Sequence, residues 1–280
     1  MILGLLCVIG GALFLELSTS LGKFEVEQRK ESIYAMGFLT NVASWFFFGI
    51  LILLRGRLAF DLASLPTFAL RAGLEIVQIY VSLKAMELSS RSTNSFIRSS
   101  TIPLLLVIDI FFVHAPIGGW QIMGIAAIVL AILALSTNRG IERRGLAFVM
   151  LAAINAATTL SLYKYNISRF NSIEAEQFFM ISILIAFLAI SAWRRYGERP
   201  WTLLCTPALA GQSVMSGVGV VLVSAAFAFL PASVATAVER SGAVFFSILT
   251  GRVVFHEKHL ATKLSACALI ALGIVLIAMR

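Results

Sequence analysis

The chain has 280 residues, of which 59% are hydrophobic and 13% are charged, and its mean hydropathy is +0.94. These few polar residues cannot cover the surface of a soluble globule. The composition therefore excludes a soluble domain and predicts an all-α polytopic membrane protein. The formal net charge is +8, but the Lys and Arg residues collect between apolar runs, where they anchor helices in a membrane. We therefore expect no nucleic-acid partner.

Apolar runs of about 20 residues, the length that crosses a hydrocarbon core of about 30 Å, recur along the whole chain. Short polar connections separate them, and the longest of these is 22–32. The ten predicted transmembrane helices span 2–21, 33–54, 65–88, 92–113, 119–136, 146–166, 176–193, 207–230, 232–255 and 260–279. No connection is long enough for a soluble domain, so the lipid bilayer is the expected surroundings of the fold.

Five predicted helices precede residue 142 and five follow it. An offset of 142 residues places Arg98 on Arg240 and His114 on His256. Because five is odd, two such units run in opposite directions through the membrane, which is the usual architecture of secondary transporters. We therefore predict two inverted five-helix repeats, 1–141 and 142–280, and expect a monomer to suffice.

Two segments, 84–106 (KAMELSSRSTNSFIRSSTIPLLL) and 226–249 (AFAFLPASVATAVERSGAVFFSIL), resemble the two repeats of EamA-type transporters of the drug/metabolite transporter superfamily. The residues that carry the resemblance are Ser100, Thr101, Pro103, Pro231, Ala232, Ser233, Glu257, Gly124 and Gly273. The chain departs from the pattern at Ala115, where a loop glutamate is usual, and at Phe245, where a proline is usual. The resemblance implies a ten-helix transporter of small molecules, and we expect it in a plasma membrane, as a bacterial inner-membrane protein.

The orientation of the helices is left open, because two signals disagree. Loop Lys and Arg residues concentrate in the odd-numbered connections, such as Arg143 and Arg144, so the positive-inside rule places the termini outside. The resemblance instead implies termini in the cytoplasm.

Polar side chains recur at helical spacing inside four predicted helices. On helix 3, Arg71, Glu75, Gln78 and Ser82 are spaced so that they share one face. Such stripes predict a watered cavity between helices 3, 4, 6, 8 and 9, with Gln212 and Ser216 at its edge. The predicted substrate-binding residues are Arg98, Arg240, Glu75, Gln78, Thr236, Asn94 and Asn155.

Arg98 and Arg240 are the strongest candidates for substrate binding. A guanidinium is a planar fork of donors that fits a carboxylate or phosphate. Arg240 lies about 12 Å into its helix, where a charge costs on the order of 3 kcal/mol unless it faces protein, water or a ligand. We therefore predict a small anionic or zwitterionic substrate, with an amino acid or related carboxylate favoured. The competing interpretation is that Glu239 or Glu75 neutralises Arg240.

Glu16 and Glu239 are the predicted proton-coupling residues. In location Glu16 resembles the embedded glutamate that binds substrate and protons in the small four-helix relatives of the superfamily. A carboxylate held away from water can exchange protons near neutral pH. These acids leave open a proton-coupled exporter of cationic drugs, and the fold leaves open a flippase for a lipid-linked substrate.

The chain shows no pattern typical of an enzyme, a metal site or a cofactor site. His256-Glu257-Lys258-His259 is one residue short of the His-Glu-x-x-His zinc signature, and we expect no cofactor. The competing class is an intramembrane enzyme, which needs clustered His, Asp or Cys side chains, or a non-transporting partner subunit.

Helices 5 and 10 are nearly free of charge. Their small residues, Gly124, Ala127, Ala131 and Gly273, allow close backbone approach. We predict that these two helices pack against each other at the periphery.

Overall fold

A computed structural model describes residues 2–27, 32–56, 58–101, 104, 119–137, 145–226, 229, 232–254 and 260–278. Within these ranges the chain is helical and has no strand. The α-helices are α1 (Ile2–Glu27), α2 (Ile33–Arg55), α3 (Leu65–Leu88), α4 (Arg91–Arg98), α5 (Gly119–Thr137), α6 (Leu146–Arg169), α7 (Ile173–Tyr196), α8 (Pro207–Ala226), α9 (Ala232–Val253) and α10 (Leu260–Ala278). The predicted all-α architecture is confirmed.

Among the described residues, five helices are long and apolar enough to cross a membrane. They are Ile2–Phe24, Ile33–Leu54, Leu62–Leu88, Leu146–Arg169 and Ile173–Tyr196. Large apolar side chains on them face outward, and Leu53 and Leu54 are 81% and 78% exposed. An exterior of this kind suits hydrocarbon rather than water.

The helices α2 and α7 begin and end with the same local chemistry. Ser32 caps α2 by accepting a hydrogen bond from the Ala35 N–H at 3.2 Å, and Ser172 caps α7 in the same way. Gly56 and Gly197 end the two helices with φ of 61° and 68°, a left-handed conformation that glycine adopts without steric cost.

Several helix boundaries differ from the prediction, and two of them concern the charged residues Lys23 and Glu176. The helix α1 continues to Glu27, so the expected connection 22–32 is wrong for its first six residues. Lys23, expected in that loop, is 4% exposed and donates a hydrogen bond to the Ser89 carbonyl at the end of α3. A helix C-terminus attracts a cation through its unpaired carbonyls, which explains why the helix extends. The helix α7 starts at Ile173, which places Glu176 in its first turn.

The helix contacts of the first five helices correspond to those of the last five. If each helix is replaced by the one five places away in the chain, one observed contact becomes another observed contact. The contact of α1 with α8 corresponds to that of α3 with α6, α1 with α9 to α4 with α6, and α2 with α8 to α3 with α7. The contacts α2–α7, α4–α9 and α5–α10 map onto themselves. This pattern favours the division at residue 142, which stays a prediction.

The pairing of helices 5 and 10 is confirmed. The helices α5 and α10 pack so closely that a Cβ on Gly273 would lie 2.7 Å from the Gly124 carbonyl oxygen and 3.2 Å from Ala127 Cβ. Ala131 is fully buried in the same apolar cluster as Ile270. Small residues therefore bring the two backbones into contact.

Candidate substrate site and buried polar network

Polar side chains line the contact between the antiparallel helices α3 and α6. Arg71 stacks over the Tyr163 ring at 4.6 Å, and Thr67 Oγ1 donates to Asn166 Oδ1 at 2.6 Å. We call this contact the polar seam, and its members are Thr67, Arg71, Glu75, Gln78 and Ser82 of α3 with Asn155, Tyr163 and Asn166 of α6. It extends over roughly 22 Å at 1.5 Å per residue, which is most of the thickness of a hydrocarbon core.

Two predicted site residues, Gln78 and Asn155, meet in the middle of the polar seam. Asn155 Nδ2 donates to Gln78 Oε1 at 3.1 Å and to the Leu74 carbonyl at 2.8 Å. Gln78 Nε2 donates in turn to Ser82 Oγ at 3.0 Å. The two amides therefore hold each other in place, and Asn155 remains half-buried rather than sealed.

Arg71 carries the strongest charge contacts in the polar seam. Its guanidinium forms an ion pair with Glu75, one turn along α3, at 3.4 Å. The closer partner belongs to another helix, because Arg71 Nη1 lies 2.7 Å from Glu176 Oε1 of α7. Arg71 is 3% exposed and Glu176 is fully buried, whereas the Glu75 side chain is 20% exposed.

Glu176 accepts further hydrogen bonds from two asparagines. Asn166 Nδ2 lies 3.0 Å from Glu176 Oε1, and Asn171 Nδ2 donates to its other oxygen and to Ser64 Oγ. We call the whole set the Arg71 network, and its members are Ser64, Thr67, Arg71, Asn166, Asn171 and Glu176.

The sequence prediction named none of Asn166, Asn171 and Glu176. An acid at the start of an apolar helix can be stabilised by the helix N-terminus alone, so the sequence carried no signal for an ion pair at Glu176. Which arginine supplies the cation depends on the packing of α3 against α7.

The two arginines of the predicted site lie on helices that pack together, α4 and α9. Arg98 and Arg240 are both half-buried. Within the described part of the chain, Arg240 has no ion pair or hydrogen-bond partner. Glu75 contacts Arg71 and Glu239 contacts no described cation, so neither acid neutralises Arg240. Asn94 is buried beside Arg98 on α4, and the Thr236 side chain is outside the described residues.

Glu16, a predicted proton-coupling residue, connects α1 to α9. It is 5% exposed and accepts hydrogen bonds from Thr250 Oγ1 at 3.0 Å and from Ser20 Oγ at 3.1 Å. Glu239, the second predicted coupling residue, is half-buried and lies roughly 16 Å along α9 from Thr250 at 1.5 Å per residue. The two acids are therefore at different depths.

The polar residues of α8 lie in helix contacts rather than at a cavity edge. Ser216 Oγ donates to the Thr40 carbonyl of α2 at 2.7 Å, and Ser18 Oγ of α1 donates to the Gln212 carbonyl at 2.9 Å. Gln212 Oε1 and Ser213 Oγ are buried and have no partner among the described residues.

Some predicted features are outside the described ranges, including the His256–His259 segment, Pro103, Pro231 and the second half of helix 4. In the ranges that are described, no group of three His, Cys, Asp or Glu residues is placed to hold a metal ion.

The model of the EamA-like transporter family matches residues 143–279. No curated protein matches the chain. The matched region comprises α6 to α10 and begins one residue after the start of the second predicted repeat. The family consists of transporters rather than enzymes. Residues 143–279 therefore belong to the EamA-like transporter family, and this match together with the apolar helices implies an integral membrane transporter of the drug/metabolite transporter type.

Proposed function

We propose that the protein is a secondary active transporter that moves a small anionic or zwitterionic metabolite by alternating access, with an amino acid or related carboxylate favoured. The observation that carries this proposal is Arg240, a half-buried guanidinium about 12 Å into α9 with no carboxylate partner among the described residues. A charge at that depth must face water or a ligand. A substrate carboxylate would accept two parallel hydrogen bonds from it.

Arg98 supports a site shared by the two halves of the chain. It occupies the position equivalent to Arg240 in the predicted repeat, and α4 and α9 are in contact. Transporters with inverted repeats bind substrate near the membrane midplane, at the interface between the repeats. In the proposed mechanism, Arg98 from one half and Arg240 from the other bind one anionic group in turn as the halves rock.

Glu75, Gln78 and Asn155 favour a zwitterion over a simple anion. Glu75 is the more exposed of the two acids around Arg71, and only one of its oxygens has a described contact, at 3.4 Å. A carboxylate in this setting suits a substrate ammonium group, and the amides of Gln78 and Asn155 suit neutral polar groups. We assign Asn94 and Thr236 to the same site from their helix positions.

We assign proton coupling to Glu16, with Glu239 as the second candidate. Glu16 lies on α1 of the first half and its partner Thr250 lies on α9 of the second half, so a proton on Glu16 alters a contact between the halves. Both halves belong to one chain, so a monomer suffices. The proposed location is the plasma membrane, as the inner membrane of a bacterium.

The test is ligand-dependent thermal unfolding of the purified protein. A ligand that binds the folded state stabilises it by RT ln(1 + [L]/Kd), so amino acids, organic acids, phosphometabolites, nucleotide sugars and quaternary cations are screened in parallel. We expect a carboxylate or phosphate compound to raise the Tm, and Arg240→Gln to abolish that shift. The matched control is Arg252→Gln, an exposed arginine in the last turn of α9, which should keep it.

Two outcomes would contradict the proposal. Stabilisation by cations alone would move the site to Glu16 and Glu75 and make the protein a proton-coupled exporter of cationic drugs. Stabilisation only by ligands that carry an acyl chain would indicate a flippase for a lipid-linked substrate.

A further inference from the structure

We propose that the Arg71 network is a latch that holds the transporter closed at one membrane face. The first face is the one that carries the α2–α3 and α6–α7 connections, and the second face carries the α1–α2 and α7–α8 connections. The inference rests on the proposed alternating access, because a latch needs two states to distinguish.

The bonds of the Arg71 network join the two halves of the chain. Arg71 to Glu176 (2.7 Å), Thr67 to Asn166 (2.6 Å) and Asn171 Nδ2 to Ser64 Oγ (3.0 Å) each connect α3, or the turn before it, with α6, α7 or the loop between them. The backbone adds a fourth link, in which the Ser172 N–H donates to the Ala59 carbonyl at 2.9 Å. The halves cannot separate at this face without breaking all four links.

The Arg71 network is also sealed from water in this state. Asn166 and Glu176 are fully buried, Arg71 is 3% exposed and Asn171 is 4% exposed. Beside it, Phe68 and Ala72 of α3 pack against Met180 and Leu184, which lie one and two turns farther along α7 than Glu176. A polar layer at the end of the helices therefore covers an apolar layer, and the first face is closed.

The equivalent place at the second face has different chemistry. The offset of 142 residues takes Arg71 to Ser213 and Glu176 to Tyr34, so an ion pair cannot form there. The Ser213 hydroxyl has no partner in the described ranges, and Tyr34 Oη accepts a hydrogen bond from Arg195 Nη1 at 2.9 Å. Thr67 maps onto Leu209, which packs in the same apolar cluster as Tyr34.

The register of the helices supports this comparison. The offset of 142 residues makes Ser213 and Leu21 equivalent to Arg71 and Tyr163, which are in contact. Their neighbours Gln212 and Gly22 are also in contact, because a Cβ on Gly22 would lie 2.8 Å from Gln212 Nε2. The antiparallel pairs α3–α6 and α1–α8 thus share one alignment. The second face also has polar links between the halves, from the Ser32 N–H to Glu198 Oε1 at 3.1 Å and from Ser18 Oγ to the Gln212 carbonyl at 2.9 Å, but neither is an ion pair.

The difference between the faces has a direct physical consequence. A buried charge that loses its partner is strongly unfavourable in an apolar contact. Removing both charges of the Arg71–Glu176 pair leaves Glu75 as the remaining charge of the polar seam, and its side chain is 20% exposed and can be hydrated. Without Arg71, the Glu176 carboxylate lacks its cationic partner and is stabilised by hydration, which requires the first face to open. The variant should therefore shift the population toward the state with an open first face. Loss of both charges should allow the face to close again.

The test measures the rate at which a water-soluble maleimide alkylates a cysteine placed behind the latch. The reporter is Met180→Cys, 1% exposed before substitution, in protein whose Cys7, Cys205 and Cys267 are replaced by alanine and which is held in lipid nanodiscs. We expect Arg71→Met to raise the alkylation rate at least ten-fold, and Arg71→Met/Glu176→Leu to return it to within about two-fold of the parent. A second reporter, Leu209→Cys, should show no increase in either variant.

The matched control is Lys84→Met, which removes an exposed ion pair with Glu87 (2.7 Å) from the same helix and should leave the alkylation of Met180→Cys unchanged. If Arg71→Met does not fold, Glu176→Gln removes the carboxylate charge without changing side-chain volume, leaves the Arg71 cation without this partner and should give the same increase. The latch is refuted if the alkylation of Met180→Cys is the same with and without the ion pair, or if the double variant is alkylated as fast as the single one. The assay contains no substrate, so its result does not depend on whether Arg240 binds one.

Discussion

Arg71 and Glu176 are 105 positions apart in the chain, yet their charged atoms lie 2.7 Å from each other and neither side chain is more than 4% exposed. The pair joins a helix of the first half to a helix of the second. Asn166 and Asn171, which flank the turn before α7, supply the remaining hydrogen bonds of Glu176. In the proposed mechanism the halves rock and this contact breaks and re-forms, so the stability of the fold and the conformational balance would depend on the same side chains.

Asn166→Leu should lower the free energy of unfolding by about 2 kcal/mol, because it removes the hydrogen bonds that Asn166 makes with Thr67 and with the buried Glu176 carboxylate. Thr158→Val is the control on the same helix, since Thr158 is exposed and its hydroxyl donates to the Ile154 carbonyl of that helix. Its effect should stay within about 0.5 kcal/mol. Unfolding of the purified variants in detergent measures both, and similar losses in the two variants would contradict a special role for Asn166.

Arg240→Lys should weaken substrate binding although it keeps the charge. Lysine is a point charge and cannot make the two parallel hydrogen bonds that a guanidinium offers to a carboxylate. We expect the Kd to rise by about ten-fold, equivalent to about 1.4 kcal/mol, and to rise further in Arg240→Gln. Calorimetric titration with the ligand found by thermal screening measures this order, and equal binding by all three proteins would remove Arg240 from the site.

Glu16→Gln should abolish transport driven by a proton gradient while preserving exchange of substrate for substrate. Glutamine keeps the size of the side chain and can still accept hydrogen bonds from Thr250 and Ser20, but it cannot carry a proton. Proteoliposomes with an imposed pH gradient measure the first activity, and counterflow measures the second. The control is Glu87→Gln, an exposed acid at the end of α3. Gradient-driven uptake that survives in Glu16→Gln would assign coupling elsewhere.

Gly273→Val should lower the free energy of unfolding by about 1–3 kcal/mol, because overpacking a close contact forces the backbones apart. The new side chain would start 2.7 Å from the Gly124 carbonyl oxygen. Gly73→Val is the control, since no atom lies within 4 Å of a Cβ at that helical position. Thermal unfolding compares the two, and a larger loss at Gly73 would show that helix propensity rather than packing determines the effect.

The sequence alone was sufficient to predict the helical architecture. Apolar runs of membrane length determine it, because a backbone surrounded by lipid must satisfy its hydrogen bonds within each helix. The small residues of α5 and α10 likewise predicted their pairing, since a backbone contact needs a small side chain at Gly124 and at Gly273.

The tertiary structure decided which charges meet. Helical spacing placed Arg71 beside Glu75 on α3, but no local pattern shows that α7 brings a better partner, Glu176, from the other half. In the same way, Lys23 lies among the residues of a predicted loop, and only the position of the α3 C-terminus explains why it is buried in a helix. Side-chain spacing is a property of one helix, whereas the neutralisation of a buried charge depends on the neighbours that packing supplies.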